Sequence, residues 1–393
     1  MAIVKLAEVC EKIGSGATPR GGKEAYCDEG ISLVRSQNVL DFNFSKEGLA
    51  FINDEQAKKL SNVEVHSGDV LLNITGDSVA RACLMDDDYL PARVNQHVAI
   101  IRGNSHKIMN GYVLYYLQWR KEYLLQLASA GATRNALTKA MIEQLELDLP
   151  PLDSQQQIVA ILDSLQSKIQ LNQKTNDNLY EMVNAYYTSL FKDVECEMTT
   201  IGNYAERIYS GGTPTTSNAA YWGGAFGWFS SGETRNRFVI STEKSITQTG
   251  IDNSSTKLAT KHDIVMASAG QGFTRGQTSM LLIDTYVNQS VIVIHADRKI
   301  LPYLFWNLAN RYEELRAILD SSSIRGSLTT KMIAAFEVPL ANNDVIQTFS
   351  DFAWAVIPQI ENNLLENERL AALRDLLLPK LMSGEIDVSA VQL

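Results

Sequence analysis

Ser15-Gly16-Ala17-Thr18-Pro19 returns 195 residues later as Ser210-Gly211-Gly212-Thr213-Pro214. Each copy stands about nine residues after a Leu6 or Ile201 that begins a similar amphipathic stretch. Farther on, Val94-Asn95-Gln96-His97-Val98 answers to Val287-Asn288-Gln289-Ser290-Val291 at an offset of 193. Arg134-Asn135-Ala136-Leu137-Thr138 answers to Arg325-Gly326-Ser327-Leu328-Thr329 at 191. An offset that drifts slowly in one direction is what small loop insertions leave in a duplicated unit, whereas chance matches scatter. The period is far too long for a solenoid, so the chain reads as two copies of one half.

Each half ends in a segment with seven-residue periodicity. Ile158, Leu162, Leu165, Ile169, Asn172, Asn176, Leu179, Val183, Tyr186 and Leu190 step alternately by four and three, the spacing of a coiled-coil seam. Shifted by 191, the seam becomes Phe349, Ala353, Val356, Ile360, Asn363, Asn367, Leu370, Arg374, Leu377 and Leu381. The asparagines fall on the same seam positions in both copies. Buried face to face in antiparallel helices, Asn172, Asn176, Asn363 and Asn367 would fix register at some cost in stability. Pro358, off the seam, is expected to kink the second helix.

The 393 residues are 45% hydrophobic and 20% charged, enough for two or three cores. No apolar run of eighteen residues is present, and the first residues lack the pattern of a signal peptide, so a cytoplasmic protein with no membrane partner is expected. Cys10, Cys27, Cys83 and Cys196 lie far apart, which points to reduced packing residues rather than a zinc site or disulfide framework. The net charge of −10 would ordinarily exclude a nucleic-acid partner. Divided along the chain, however, residues 1–150 carry −3, 151–197 carry −4, 198–341 carry +2 and 342–393 carry −5. Most of the negative charge belongs to the helices, and the near-neutral halves can bind DNA if their cations gather on one face.

Within a half the pattern is α+β. Val70-Leu71-Leu72-Asn73-Ile74 and Val98-Ala99-Ile100-Ile101 predict short strands, and residues 112–127 and 303–319 predict amphipathic helices. Strands and helices do not alternate regularly, which argues against a doubly wound sheet.

Two globular repeats, each followed by a long helix, with Ser-Gly-x-Thr-Pro near the start of each and Pro150-Pro151-Leu152 leading into a Gln-rich helix, resemble the specificity subunit of a type I restriction-modification system. The stretch Arg374-Asp375-Leu376-Leu377-Leu378-Pro379-Lys380-Leu381-Met382-Ser383-Gly384-Glu385-Ile386 is similar to that family's carboxy-terminal signature. The resemblance covers nearly the whole chain in order. It implies two pseudo-symmetric target-recognition domains, 1–150 and 198–341, each reading half of a split double-stranded DNA target. They would be joined by two long antiparallel coiled-coil helices within 151–197 and 342–393, on which methyltransferase subunits dock. Restriction/translocase subunits would complete some complexes, and S-adenosylmethionine, ATP and magnesium would sit on the partners.

Catalysis by the chain itself finds no motif. Adenine methylation needs a Gly-rich cofactor loop and an acidic or Asn residue before Pro-Pro and an aromatic, but Pro150-Pro151 follows Leu149. Gly16 to Lys23 superficially suggests a phosphate loop, yet its spacing is one residue too long and Glu24 replaces the magnesium-binding hydroxyl. Asp297-Arg298-Lys299 is an acidic-x-Lys triplet, but no Pro-Asp precedes it as nuclease chemistry would require. The five histidines have no ligand spacing. The competing class is a duplicated non-catalytic scaffold or regulator that binds proteins.

Candidate DNA-binding positions lie where the halves differ or gather cations. Arg35, Gln37 and Asn38 can make paired hydrogen bonds to base edges, against a reading as ordinary turn polarity. Their counterpart holds Ser230, Thr234, Arg235 and Arg237, chemically unlike them, as two different half-sites would demand. Thr75 and Arg81 in one loop, and Gln271 and Arg275 in its counterpart, suit phosphate contact, against a simple hairpin. Asn95-Gln96 and Asn288-Gln289, retained in both halves, suggest turn architecture, leaving His97 and Ser290 as readers. Thr133, Arg134 and Asn135, with Arg325 and Ser327 opposite, suit phosphate anchoring, the alternative being salt bridges to the acidic helices. Arg20 completes the set. Tyr221-Trp222 and Trp228-Phe229 suit a core better than base stacking, because duplex DNA offers no unstacked base.

If the helices act as a ruler, residues 154–192 would span on the order of 55 Å at ~1.5 Å per residue, longer than a ~34 Å turn of DNA, so the helices must overlap. Inserting one heptad into each helix adds about 10 Å, on the order of three base pairs. The expected methylation motif keeps both half-sites and widens the gap between them, which sequencing of methylated adenines would read; an active protein with an unchanged gap would refute the ruler.

Overall fold

The computed structural model describes residues 2–19, 25–129, 135–191, 197–269, 274–321 and 327–388. Its chain divides into two compact units, Met1–Ile169 with Arg369–Leu393, and Gln170–Glu368. The fold is α+β, and the duplication reaches down to strand register.

In the first unit, Ala2–Lys5 pairs antiparallel with Glu146–Leu149. One four-stranded antiparallel sheet runs in the order Cys10–Ser15, Val98–Gly103, Val70–Asn73, Ala82–Leu84. A second runs Ala50–Ile52, Ile31–Val34, Ala92–Val94, Glu64–Val65, and its central pair is parallel, with Leu33 opposite Arg93 and Val34 opposite Val94. The second unit repeats the plan. Met198–Thr200 pairs with Glu337–Pro339, and a five-stranded sheet runs Ala205–Ser210, Val291–Ala296, Ile264–Ala267, Thr278–Leu281, Phe238–Val239. Its other sheet runs Lys244–Ile246, Trp222–Phe229, Thr285–Val287, Lys257–Ala259, again with a parallel central pair, Phe229 opposite Val287. Even the register shift in the first long strand recurs, between Cys10 and Lys12 and between Ala205 and Arg207.

Alternation along Val70–Asn73 and Val98–Gly103 divides the apolar residues between two cores. Leu72, Ala99 and Ile101 face the helices, whereas Leu71, Val98 and Ile100 pack between the sheets with Leu33 and Val94. The predicted strands are therefore present, buried on both faces. The helices predicted over 112–127 and 303–319 are each two. Asn110–Trp119 is followed by Lys121–Ser129, and Leu301–Asn310 by Tyr312–Ser321. Both breaks fall at an arginine 191 residues apart, Arg120 and Arg311. The first helix of each pair is enclosed over most of its length: all of Tyr112 to Gln118 and Leu301 to Leu308 are buried. The second helix buries fewer of its residues, Leu124 and Ala128 among them, so the chain bends where it leaves the core. Arg120 covers the break by lying over the Trp119 and Tyr123 rings at 5.7 and 4.7 Å. Arg311 does so by forking onto Glu314 at 2.6 and 2.7 Å.

The two long helices, α1 (Leu152–Phe191) and α2 (Asn343–Met382), have 40 residues each. The segment α2 continues through Pro358 without interruption. Every described seam position is buried or half-buried. Within the second unit the helices pair antiparallel. Asn172 Nδ2 donates to Asn367 Oδ1 at 2.9 Å and to Glu366 Oε2 at 2.7 Å. One turn on, Asn363 Nδ2 donates to Asn176 Oδ1 at 2.8 Å, and Asn176 Nδ2 to the Ile360 carbonyl at 3.3 Å. Within the first unit the seam residue Arg374 donates to Gln166 Oε1 at 2.6 Å and lies over Phe42 at 4.0 Å.

Removing one partner of a buried hydrogen bond costs more than removing both. Asn176→Leu alone leaves Asn363 Nδ2 without its acceptor, although Gln359 still donates to Asn363 Oδ1, and is expected to cost about 1–3 kcal/mol. The double substitution Asn176→Leu with Asn363→Leu should recover most of that loss. Urea unfolding of the three variants checks the order; equal losses from single and double variants would contradict it.

Candidate nucleic-acid interface

In the first unit five segments meet at the ends of the central strands. Gly16 lies on the parallel strand pair: its N–H donates to the Asn95 carbonyl at 3.1 Å, and a Cβ there would stand 1.7 Å from the Val94 carbonyl oxygen. This close approach needs a residue without a side chain. It brings Thr18 onto the next turn, where its hydroxyl donates to Gln96 Oε1. The turn is set by Asn95, whose Oδ1 accepts from the His97 N–H at 2.9 Å. His97 Nδ1 lies 2.6 Å from Thr75 Oγ1, and Ile74 N donates to the His97 carbonyl at 3.0 Å. The 73–81 loop reaches onward in two directions. Asn73 Nδ2 donates to the Ser36 and Val39 carbonyls at 2.8 and 3.2 Å, and Gly76 N donates to the Asn135 carbonyl at 3.2 Å.

The second unit builds the same junction from different side chains. Gly211 N donates to the Asn288 carbonyl at 3.3 Å, and a Cβ there would stand 1.9 Å from the Val287 oxygen. Thr213 donates to Gln289 Oε1, and Asn288 Oδ1 accepts from Ser290 N at 2.9 Å. Ser268 N donates to the Ser290 carbonyl at 2.9 Å, and Leu328 N to the Ser268 carbonyl at 2.9 Å. In the first unit Leu137 N makes the matching bond to Ile74 at 2.8 Å.

The candidate readers divide by what holds them. Asn38 is fully buried: its Oδ1 accepts from Arg35 N at 3.0 Å and its Nδ2 donates to the Ser45 and Glu47 carbonyls at 2.9 and 3.1 Å. Its carboxamide builds the turn, leaving no atom for a base. Glu233 occupies the same position in the second unit. It is 3% exposed, with Oε1 accepting from Ser230 N at 2.8 Å and from the Ser230 hydroxyl at 3.0 Å. Arg35 is half-buried, donating to the Gly48 carbonyl beside the Tyr26 ring, and exposed Gln37 donates to the Glu47 and Gly48 carbonyls at 3.2 and 3.1 Å. Thr234 is buried against the Ser231 carbonyl at 2.8 Å. Exposed Arg235 is tied to Glu243, and exposed Arg237 turns to α1, 4.2 Å over the Tyr180 ring and 3.7 Å from Asp177.

Arg81 is half-buried and makes no side-chain hydrogen bond or ion pair among the described residues. Asn135 is exposed, and Thr75, His97, Arg275, Ser290 and Ser327 are half-buried at the junctions. Arg20, Thr133, Arg134, Gln271 and Arg325 lie outside the described residues. Trp228 and Phe229 are core, whereas Tyr221 and Trp222 are half-buried. The sequence reading missed Thr18, Thr213, Asn73 and Glu233 as builders of the junction. The repeated Ser-Gly-x-Thr-Pro was the available signal for the two threonines.

Among the described residues no group of three or more His, Cys, Asp or Glu could hold a metal, and no helix is long and apolar enough to cross a membrane. Cys10, Cys27 and Cys83 are free thiols. Burial pushes Cys10 up to about 12 and raises Cys83 as well, so both are poor nucleophiles at neutral pH.

Comparison with known proteins agrees with this geometry. Residues 1–181 match the family described as "Type I restriction modification DNA specificity domain". The Haemophilus influenzae "Type I restriction enzyme HindI specificity subunit" is 20% identical over 91% of this chain and 94% of its own length. The Escherichia coli EcoR124I/EcoR124II specificity subunit is 25% identical over 61% of each chain. The solved S subunit of a type I restriction-modification system from M. genitalium shares the fold, with a TM-score of 0.60 at 13% identity over 97% of this chain and 96% of that one. Residues 1–181 thus match that family's domain, and the chain as a whole is similar to type I restriction enzyme specificity subunits over nearly its full length.

Asn38→Ala and Glu233→Ala each remove an internal carboxamide or carboxylate that gathers a turn. Each is expected to cost about 1–3 kcal/mol, whereas Gln37→Ala should stay within roughly 0.5 kcal/mol. Thermal unfolding distinguishes them, and a costless Asn38→Ala would show that the turn does not depend on its side chain.

Proposed function

We propose that the chain is the DNA-recognition subunit of a type I restriction-modification complex and performs no catalysis itself. It recognises a bipartite duplex target, one half-site with residues 1–150 and the other with 198–341, and directs N6-adenine methylation and restriction by partner subunits. One observation carries this reading. The two units keep the same junction, with Gly16 and Gly211, Asn95 and Asn288, Thr18 and Thr213 in matching roles. They mount different chemistry on it: half-buried His97, bonded to Thr75, in one, and half-buried Ser290 in the other. A shared frame with divergent polar rims suits two different sequences; a duplicated scaffold for one partner would have less reason to vary there.

Bases are told apart by donor and acceptor patterns in the major groove, and phosphates are held by cations and backbone N–H groups. On this reading the rim side chains select, while half-buried Arg81 and, at the matched positions, Arg134 and Arg325 hold phosphate. Methyltransferase subunits dock on the long helices and carry S-adenosylmethionine, and restriction/translocase subunits carry ATP and magnesium. The target adenine must leave the duplex stack to be methylated, a task for the partner's site. A complex working on chromosomal DNA places the chain in the cytoplasm.

Two experiments test the reading. The pure chain is expected to transfer no methyl group from S-adenosylmethionine and to gain N6-adenine methylation with its partner; methylation by the chain alone would sink it. Replacing residues 198–341 with another such domain should change one half of the methylated motif, whereas Arg81→Ala should weaken all sites alike and flatten the salt slope by roughly one unit. Sequencing of methylated adenines and binding titrations over salt read both outcomes, and loss of both half-sites on the swap would show that the domains do not read independently.

A further inference from the structure

Gln96 and Gln289 stand at the centre of the two junctions, and their arrangement is more than a turn requires. Both are exposed, each flanked by a buried asparagine, Asn95 or Asn288, that fixes the turn through its own Oδ1. The turn is therefore closed without the glutamine. Each glutamine side chain is nonetheless held: the hydroxyl of Thr18 or Thr213 donates to its Oε1. Fixing an exposed glutamine costs side-chain entropy that an exposed neutral hydrogen bond does not usually repay. The same costly arrangement is built twice, on a rim where neighbouring side chains differ.

The clasp also determines which atom is left to act. With Oε1 occupied by the threonine, the carboxamide has its Nε2 hydrogens to offer. In the first unit His97 Nε2 lies 3.1 Å from Gln96 Nε2 and can take one of them. In the second unit Ser290 replaces that histidine. What both units retain is thus an oriented, uncharged N–H donor that suits an acceptor found at every DNA sequence. A base edge would vary between half-sites; the phosphodiester oxygen does not.

We propose that Gln96 and Gln289 are paired backbone anchors, each donating its Nε2–H to a phosphodiester oxygen of its half-site and setting the depth at which the diverging rim side chains meet the bases. This inference rests on the DNA-recognition reading above and assigns the two glutamines a binding role beside their place in the turn. Asparagine and glutamine side chains are among the usual phosphate donors of DNA-binding proteins, and such contacts fix register without carrying sequence information.

The test uses the chain assembled with its methyltransferase and a duplex bearing the motif that the wild-type complex methylates. Gln96→Glu and Gln289→Glu keep an acceptor for the threonine but turn an oxygen toward the phosphate. Each should lower duplex affinity on the order of tenfold to a hundredfold, with the methylated motif and the thermal unfolding midpoint unchanged. Gln289→Lys keeps a donor and adds a charge, so it should bind the same motif with a salt slope steeper by about one unit. Unchanged affinity in the Glu variants, or an unchanged slope in the Lys variant, would overturn the anchor; a changed base preference would show instead that the glutamine reads a base. If the wild-type complex itself bound no duplex, the recognition reading would fall, and the anchor with it.

Discussion

At Gly16 and Gly211 the chain crosses a carbonyl oxygen so closely that a Cβ would stand less than 2 Å from it. Much of the candidate interface follows from that approach. Because the backbone can lie directly on the end of the parallel strand pair, Thr18 and Thr213 fall beside the turn that follows it. The strands Ile31–Val34 and Trp222–Phe229, parallel to that pair's other member, then deliver their own turns to the same edge. A side chain at either glycine would lift the segment off the strand end and dissolve the junction.

The second organising principle is a division of labour within each junction. Buried carboxamides and carboxylates, Asn38, Asn73, Asn95 and Asn288 with Glu233, are spent on backbone groups and make the loops rigid. A polar loop whose own N–H and C=O groups are satisfied from within can present neighbouring side chains at fixed positions without a covering layer. In the first unit the turn residue opposite Arg35 is Asn38, and in the second the residue opposite Ser230 is Glu233, so different side chains solve one backbone problem. That freedom lets a duplicated domain alter its surface while keeping its frame.

The long helices obey a different constraint. In the middle of their seam the apolar run is broken where Asn172 meets Asn367 and Asn176 meets Asn363. An apolar seam tolerates a slip of one heptad at modest cost, but paired buried amides do not, because a slip would leave each carboxamide without its partner. Register in this region is thus set by four side chains rather than by the many apolar contacts around them.

Much of this was legible in the order of residues, since duplication, strand alternation and the heptad seam are local or periodic signals that survive without coordinates. The asparagine pairs could be anticipated because an antiparallel seam leaves only one arrangement for two matched polar positions. The division of the 112–127 and 303–319 helices could not, because it depends on where the core ends, and the seven consecutive buried residues from Tyr112 to Gln118 hide any amphipathic period. Nor could the sequence separate Asn38, fully buried, from exposed Gln37 beside it. Both are polar residues in a polar turn, and only the folded positions of the Arg35 N–H and the Ser45 carbonyl, which Asn38 alone meets, decide which of them is buried in the loop and which stays exposed.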